Sequence, residues 1–287
     1  MPGVSWRAAL ARGQRALSQR AVHWAWQAAQ RAGAVTADSP AGRGFAAFGR
    51  GSILAFPPGA IFGERWIEVG ADTVVGKHVT MSAGTVPGQD LGAVPLLRIG
   101  DRCVIGRGSH IVAHASIVIG DDVYTGPYVY ITDQNHGYAD PEVPIGRQWP
   151  ANAAVSIGAG SWLGAGAVVL PGASIGRNVV VAAGSVVRGR VPDRCVVAGV
   201  PAKVIRSYVA GDGWLPPLRP GGIRPLPADA GEPPAGPDSP IDGFADPGLT
   251  DPGLTDAGLA DAGVAETGPL ADAQRVEGIT EPPDPVF

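Results

Sequence analysis

Cysteine is scarce in this chain, with Cys103 and Cys195 the only two among 287 residues. Two such thiols do not form a disulfide framework and fit a reducing compartment, so a cytoplasmic location is expected. No run of eighteen apolar residues occurs, which excludes a membrane-spanning helix within the sequence. Arg and Gln interrupt every apolar stretch near the N-terminus, so no secretory signal is expected. Basic residues are dispersed and no recognition motif accompanies them, which argues against nucleic-acid binding. Acidic residues are missing altogether before Asp38.

Large apolar residues run short at the other end. From Asp212 the sequence turns to Pro, Gly, Ala and Asp, and a five-residue period, DPGLT-DPGLT-DAGLA-DAGVA, spans Asp246 to Ala265. So little can be buried that residues 212–287 read as a disordered, acidic tail. Charge divides at the same place: residues 213–287 carry 13 acidic and 3 basic side chains, net −10, and residues 1–212 carry 13 acidic and 19 basic, net +6. The basic part suits a phosphorylated ligand, and the tail a solubilising role.

Between these ends lies a six-residue rhythm. Val69, Val75 and Met81 open one set of hexads; Ile99, Ile105 and Ile111 the next; Ile119, Thr125 and Ile131 a third; Ile157, Leu163 and Val169 a fourth; Ile175, Val181 and Val187 a fifth. The fifth residue of each hexad is usually small or β-branched. So short a period means an all-β solenoid, and three hexads per turn make it a triangular prism over residues 45–209. Each side accepts one aliphatic and one small inward side chain.

Residues 1–40 differ. Trp6, Leu10, Leu17, Ala21, Trp24 and Ala28 follow helical spacing, while Arg7, Arg12, Arg15 and Arg20 lie mostly off that side. A stripe of this kind usually packs on a core, here the end of the prism. The second reading is a cationic helix on an anionic membrane surface.

The rhythm breaks twice, at residues 87–98 and 137–156, and long loops thrown from a rigid scaffold commonly carry function. The second loop follows Asp133-Gln134-Asn135-His136-Gly137. Hexad position puts Asn135 inward and His136 at a corner, ready to meet a ligand or a neighbouring subunit. Tyr138, Asp140, Glu142, Arg147, Gln148 and Trp149 give that loop the polar and aromatic groups that suit a sugar, though an amine would also fit.

The segments TDQNHGY (132–138), PIGRQ (144–148), SIGAGSWLG (156–164), LPG (170–172), AGSVV (183–187) and AGVPAKVIR (198–206), set among the hexads, resemble the maltose and galactoside O-acetyltransferase branch of the hexapeptide-repeat acyltransferases. The resemblance implies a left-handed parallel β-helix, a homotrimer, and acetyl-CoA or another acyl-CoA in clefts between subunits, with no metal. It assigns His136 as general base, and puts Trp162 beside the acyl group and the small residues Ala165, Ala183 and Gly184 along the pantetheine arm. Arg188, Lys203 and Arg206 are then candidates for the phosphates, although Arg188-Gly189 departs from the Thr-Lys common in that branch. Asn135 is read as a buried spacer, Asp133 as a partner of the histidine or the acceptor, and Tyr138, Asp140, Glu142 and Gln148 as acceptor contacts. Two other functions compete. His78, His110, His114 and His136 supply enough imidazoles for a zinc hydratase resembling the gamma-class carbonic anhydrases, and a prism can also serve as a non-catalytic scaffold.

Overall fold

Each hexad forms one side of a triangular coil. The computed structural model describes residues 6–85 and 89–217, all within one compact unit, Met1–Asp238. The acidic tail expected from composition lies almost wholly outside these residues.

The first face of the prism stacks Ala47–Phe48, Ile67–Val69, Leu97–Ile99, Ile117–Ile119, Val155–Ile157, Ser174–Ile175 and Arg190–Val191. The second stacks Ile53–Leu54, Val74–Val75, Val104–Ile105, Tyr124–Thr125, Trp162–Leu163, Val180–Val181 and Cys195–Gly199. The third stacks Ile61–Phe62, Thr80–Ala83, His110–Ala113, Tyr130–Thr132, Val168–Val169 and Val186–Val187. Every pairing between these rungs is parallel, and the hexad register is the observed one. Val69 pairs with Ile99, Ile99 with Ile119, Ile119 with Ile157 and Ile157 with Ile175 on the first face. Met81, Ile111, Ile131, Val169 and Val187 follow one another on the third. The fold is a left-handed parallel β-helix preceded by one helix, α1 (Trp6–Gly33).

Burial of the aliphatic rows supplies the driving force, at about 1.5–3 kcal/mol per fully buried large side chain. Val75, Met81, Leu97, Ile111, Ile117 and Leu163 are among those wholly removed from solvent. Inward polar residues at the fifth position serve as rungs: Thr73 Oγ1 donates to Gly100 O at 2.8 Å and accepts from Cys103 N–H at 3.0 Å, tying two coils together. Among the described residues no buried side-chain nitrogen or oxygen lacks a partner, as a narrow core requires.

The corner between the first and second faces is turned by one residue in the left-handed region in each coil. That residue is Asp72, Arg102, Asp122, Gly160, Asn178 and Arg194 in succession. Aspartates stack beside them, Asp121 Oδ1 accepting from Asp101 N–H and Asp101 Oδ1 from Ala71 N–H.

At both ends of the prism the second-face sheet is extended by antiparallel strands. Val35–Thr36 pairs with Ile53–Leu54 at one, and Cys195–Gly199, Ala202–Val209 and Gly213–Leu215 form a meander at the other. This covers the edges of that one sheet, which would otherwise template association.

The N-terminal stripe departs from its favoured reading. Instead of packing on the prism end, Leu17 and Trp24 are 67% and 72% exposed. The last turn of α1 is fastened to the prism, where Lys77 Nζ donates to Gln30 Oε1 at 2.8 Å and Gly33 lies against the Phe56 ring. The side chains of residues 6–14, Trp6, Leu10, Arg7 and Arg12 among them, lie outside the described set.

Candidate active site

Both long loops leave from one corner, between the third and first faces. The chain leaves Ala83 to re-enter the prism at Leu97, and leaves Thr132 to re-enter at Val155. Between these looped coils the middle one turns tightly through His114, Ala115 and Ser116.

Asp133 organises this corner. It is fully buried, and its carboxylate accepts three backbone N–H groups, from His114 at 2.8 Å, Ala115 at 2.8 Å and Ser116 at 2.6 Å. One ionised side chain thereby replaces the coil-to-coil hydrogen bonds that the departing loop removes. Its backbone carbonyl accepts from Ala153 N–H at 2.8 Å, which pins the returning end of the loop.

The inward fifth position expected for Asn135 is not observed. Gln134–Asn135 pairs antiparallel with Ala151–Asn152 at the base of the loop and is half-exposed, as Thr85 and Ala115, the fifth residues of the hexads below, are exposed. The inward place is taken two residues earlier, by Asp133, because the hexad stops where the loop starts.

His136 stands exposed immediately beyond. Half-buried His114 is its electrostatic neighbour. Burial holds the His114 imidazole below its ordinary pKa, Asp133 opposes that shift and His136 adds to it. His114 Nδ1 lies 3.3 Å from Thr85 Oγ1, so successive coils bring Thr85, His114, Asp133 and His136 to one corner. Sequence reasoning used His114 only as a metal-ligand candidate; coil stacking with a 20-residue rise puts it at the corner below the start of the loop, and it interacts electrostatically with His136 there.

The loop holds its own shape. Gln148 Nε2 donates to the carbonyls of Asp140 and Val143, each at 2.8 Å, and Gln148 Oε1 accepts from Asp140 N–H. Asp140 Oδ1 accepts from Glu142 N–H at 2.9 Å. Gln148 and Asp140 are therefore engaged within the loop, whereas Tyr138, Glu142 and Trp149 are exposed, Trp149 to 93%.

Apart from Arg188, the residues assigned to the acyl donor lie elsewhere on the prism. Trp162 is on the second face, paired with Tyr124 below it, and the two are 48% and 52% exposed. Ala165, Ala183 and Gly184 follow at the corner between the second and third faces, all exposed, with Gly184 at φ +69°. Stacking there is close enough that a Cβ on Gly164 would meet the Ala183 backbone nitrogen at 2.5 Å. Arg188 is exposed just past the third face, at the corner between the third and first faces, and Lys203 and Arg206 are on the terminal meander, Arg206 donating to the Pro216 carbonyl. One face of the prism, about 20 Å at six residues per side, separates the Ala165, Ala183 and Gly184 corner from His136.

Neither thiol is placed for chemistry. Burial pushes Cys103 up to about 11, its Sγ bonded to Gly120 O, and raises Cys195 as well. Among the described residues no three His, Cys, Asp or Glu side chains gather as a metal-binding group, and no helix is long and apolar enough to cross a membrane.

Residues 154–189 match the family model for the bacterial transferase hexapeptide (six repeats), and residues 96–132 that for the hexapeptide repeat of succinyl-transferase. Both models describe the hexads seen in the prism. An Escherichia coli protein whose name assigns it to lipopolysaccharide-biosynthesis O-acetyl transfer is 44% identical over 106 residues, covering 34% of this chain and 54% of its own. The galactoside O-acetyltransferase of Lactococcus lactis is 40% identical over 102 residues, covering 36% of this chain and 48% of its own. The chain spans about half the length of these relatives. Among solved structures, a variant of an N-acyltransferase from Bacillus cereus, in complex with dTDP-4-amino-4,6-dideoxyglucose and coenzyme A, shares the fold with a TM-score of 0.50 at 15% identity, over 61% of this chain and 90% of its own.

Proposed function

We propose that this chain is a cytoplasmic CoA-dependent acyltransferase, moving an acetyl or other acyl group from acyl-CoA to a hydroxyl of a sugar-like acceptor, with sites formed between the subunits of a homotrimer. The observation that carries the reading is the separation of its two halves. His136 and the Ala165, Ala183 and Gly184 corner stand on different corners of one prism, so a single chain cannot bring them to one acyl group. A symmetric ring of three prisms sets the His136 corner of one against the donor corner of the next. The relatives named as O-acetyltransferases support the reaction class.

In this mechanism His136 takes the acceptor hydroxyl proton as the oxygen attacks the thioester carbonyl. The tetrahedral oxyanion is held by backbone N–H groups at the solenoid edge, with that of Ala165 the candidate. Collapse breaks the carbon–sulfur bond, and the departing thiolate takes the proton from the imidazolium, giving the ester and free CoA. Asp133 fixes the corner from which His136 projects. Trp162 covers the pantetheine arm, Ala165, Ala183 and Gly184 leave it room, and Arg188, Lys203 and Arg206 face the phosphates. Tyr138 and Glu142 meet the acceptor on a loop that Asp140 and Gln148 hold in shape.

The test is CoA release from acetyl-CoA over a panel of sugars, amino sugars and other hydroxylated acceptors, with two variants made separately and co-expressed. His136→Ala lowers kcat by about 10²–10⁴ while acyl-CoA affinity stays within a few-fold, and Ala183→Trp blocks the donor corner. In mixed trimers about a quarter of the sites pair an intact histidine with an intact donor corner, so activity returns to about that level. A monomer by light scattering, a His136→Ala variant as active as wild type, or mixtures no better than either variant would overturn the proposal.

A further inference from the structure

Helix α1 carries a surface that the prism does not use. Taking 100° per residue, Leu17, Ala21, Trp24 and Ala28 fall within about 60° of one another. Gln30 and Gly33, which fasten the helix to Lys77 and Phe56, each lie about 150° from the middle of that stripe, one on either side of the opposite face. The stripe therefore faces away from the body that anchors it. Every side chain described from Arg15 through Gln27 is exposed, and Trp26, at 50%, belongs to the anchored side.

Charge is concentrated on the same element. Residues 1–33 hold five arginines and no acidic residue, and so account for five of the six net positive charges of residues 1–212. Arg20 and Arg31 border the stripe on one side, and both are exposed. An exposed tryptophan and leucine edged by guanidinium groups require a partner with an apolar interior beneath an anionic skin. A second copy of α1 would bring five further arginines and no carboxylate to meet them. A nucleic-acid backbone would leave Leu17 and Trp24 without use.

We propose that α1 docks this protein on the surface of an anionic lipid bilayer, lying in the interface with Leu17, Ala21, Trp24 and Ala28 toward the acyl chains and Arg20 and Arg31 at the lipid phosphates. Attachment through the last turn leaves the helix free to lie flat while the prism stays in water. The proposal concerns a surface remote from His136 and stands whether or not the acyl-transfer reading holds.

Co-sedimentation of the full-length protein with vesicles tests it. The protein pellets with vesicles of phosphatidylcholine containing phosphatidylglycerol, and binding falls at high salt. Arg20→Gln with Arg31→Gln weakens partition roughly tenfold or more, on about 1 kcal/mol per basic residue at an anionic surface, and Leu17→Ser with Trp24→Ser abolishes it. Neither pair moves the melting temperature of the prism or its basal rate of CoA release. Protein left in the supernatant with phosphatidylglycerol vesicles, or equal binding to phosphatidylcholine alone, would overturn the proposal. So would a drop in oligomeric mass by light scattering in the Leu17→Ser, Trp24→Ser variant, which would make the stripe a contact between copies.

Discussion

The corner between the second and third faces and the corner between the third and first are built from the same repeat, yet they differ in what fixes them. At the first, coil lies on coil with almost no room: a Cβ on Gly106 would collide with the Gly126 carbonyl, and one on Gly126 would meet the Ala165 nitrogen at 2.6 Å. At the second, two of three successive coils open into loops, and a buried carboxylate supplies what backbone stacking supplies elsewhere. Backbone stacking makes a uniform, narrow edge along which a slender molecule can run. The carboxylate-fixed corner allows each coil to present a different side chain, and that is where Thr85, His114 and His136 come together.

Removing the carboxylate is the most damaging way to break this contrast. Asp133→Ala leaves three backbone donors inside the prism without an acceptor, each hydrogen bond to a charged group being worth about 1.5–3 kcal/mol. We expect a loss of about 4 kcal/mol or more in denaturant unfolding, a lower melting temperature, and increased proteolysis of the 137–154 loop. A variant as stable as wild type would mean that the corner is held by the loop's own hydrogen bonds.

A glycine series grades the stacked corner against the open positions. Gly106→Ala forces two coils apart and should cost about 2–3 kcal/mol, in the range of overpacking. Alanine at Gly166, where φ is +68° and a Cβ would meet nothing within 4 Å, should cost about 1 kcal/mol for the left-handed backbone alone. Alanine at Gly146, in the loop, with ordinary φ and open space, should cost almost nothing. Equal effects at Gly106 and Gly166 would show that conformation, and not coil spacing, sets the requirement for glycine.

These differences also mark how far the sequence could be read. Each hexad from Val69 to Val187 predicts its strand and partner correctly, because period, side-chain size and parallel stacking all state the same constraint. The coil formed by Ala47–Phe48, Ile53–Leu54 and Ile61–Phe62 escapes that reading, since Pro57, Pro58 and Gly59 stretch its third hexad. Asn135 is misread as inward because counting by sixes continues past Thr132, whereas the chain leaves the prism there. Asp133 betrays itself only by being a charged residue in a strand-ending TD step, and its three donors belong to a coil nineteen to seventeen residues earlier. The stripe on α1 is legible as a helix face, but its target is not, because a period of 3.6 gives direction without naming a neighbour.

The smallest expected effect concerns His114. Its imidazole is held below the ordinary histidine pKa chiefly by burial, with His136 adding to the shift and the Asp133 carboxylate opposing it. The folded protein therefore binds fewer protons at this site than the unfolded chain once pH falls through about 6.5, where an unperturbed histidine titrates. Stability is unaffected by this group above that value and declines below it, since the unfolded state is the one that gains the proton. His114→Gln, which keeps a polar group within reach of Thr85, should remove this part of the acid-side decline in melting temperature and leave the value at neutral pH nearly unchanged. Because the site is only part-buried and Asp133 acts against burial, the difference between the two pH profiles should be slight. Profiles that superimpose throughout would assign the acid sensitivity to other groups and leave the His114 imidazole effectively solvated, despite its place at the Asp133 corner.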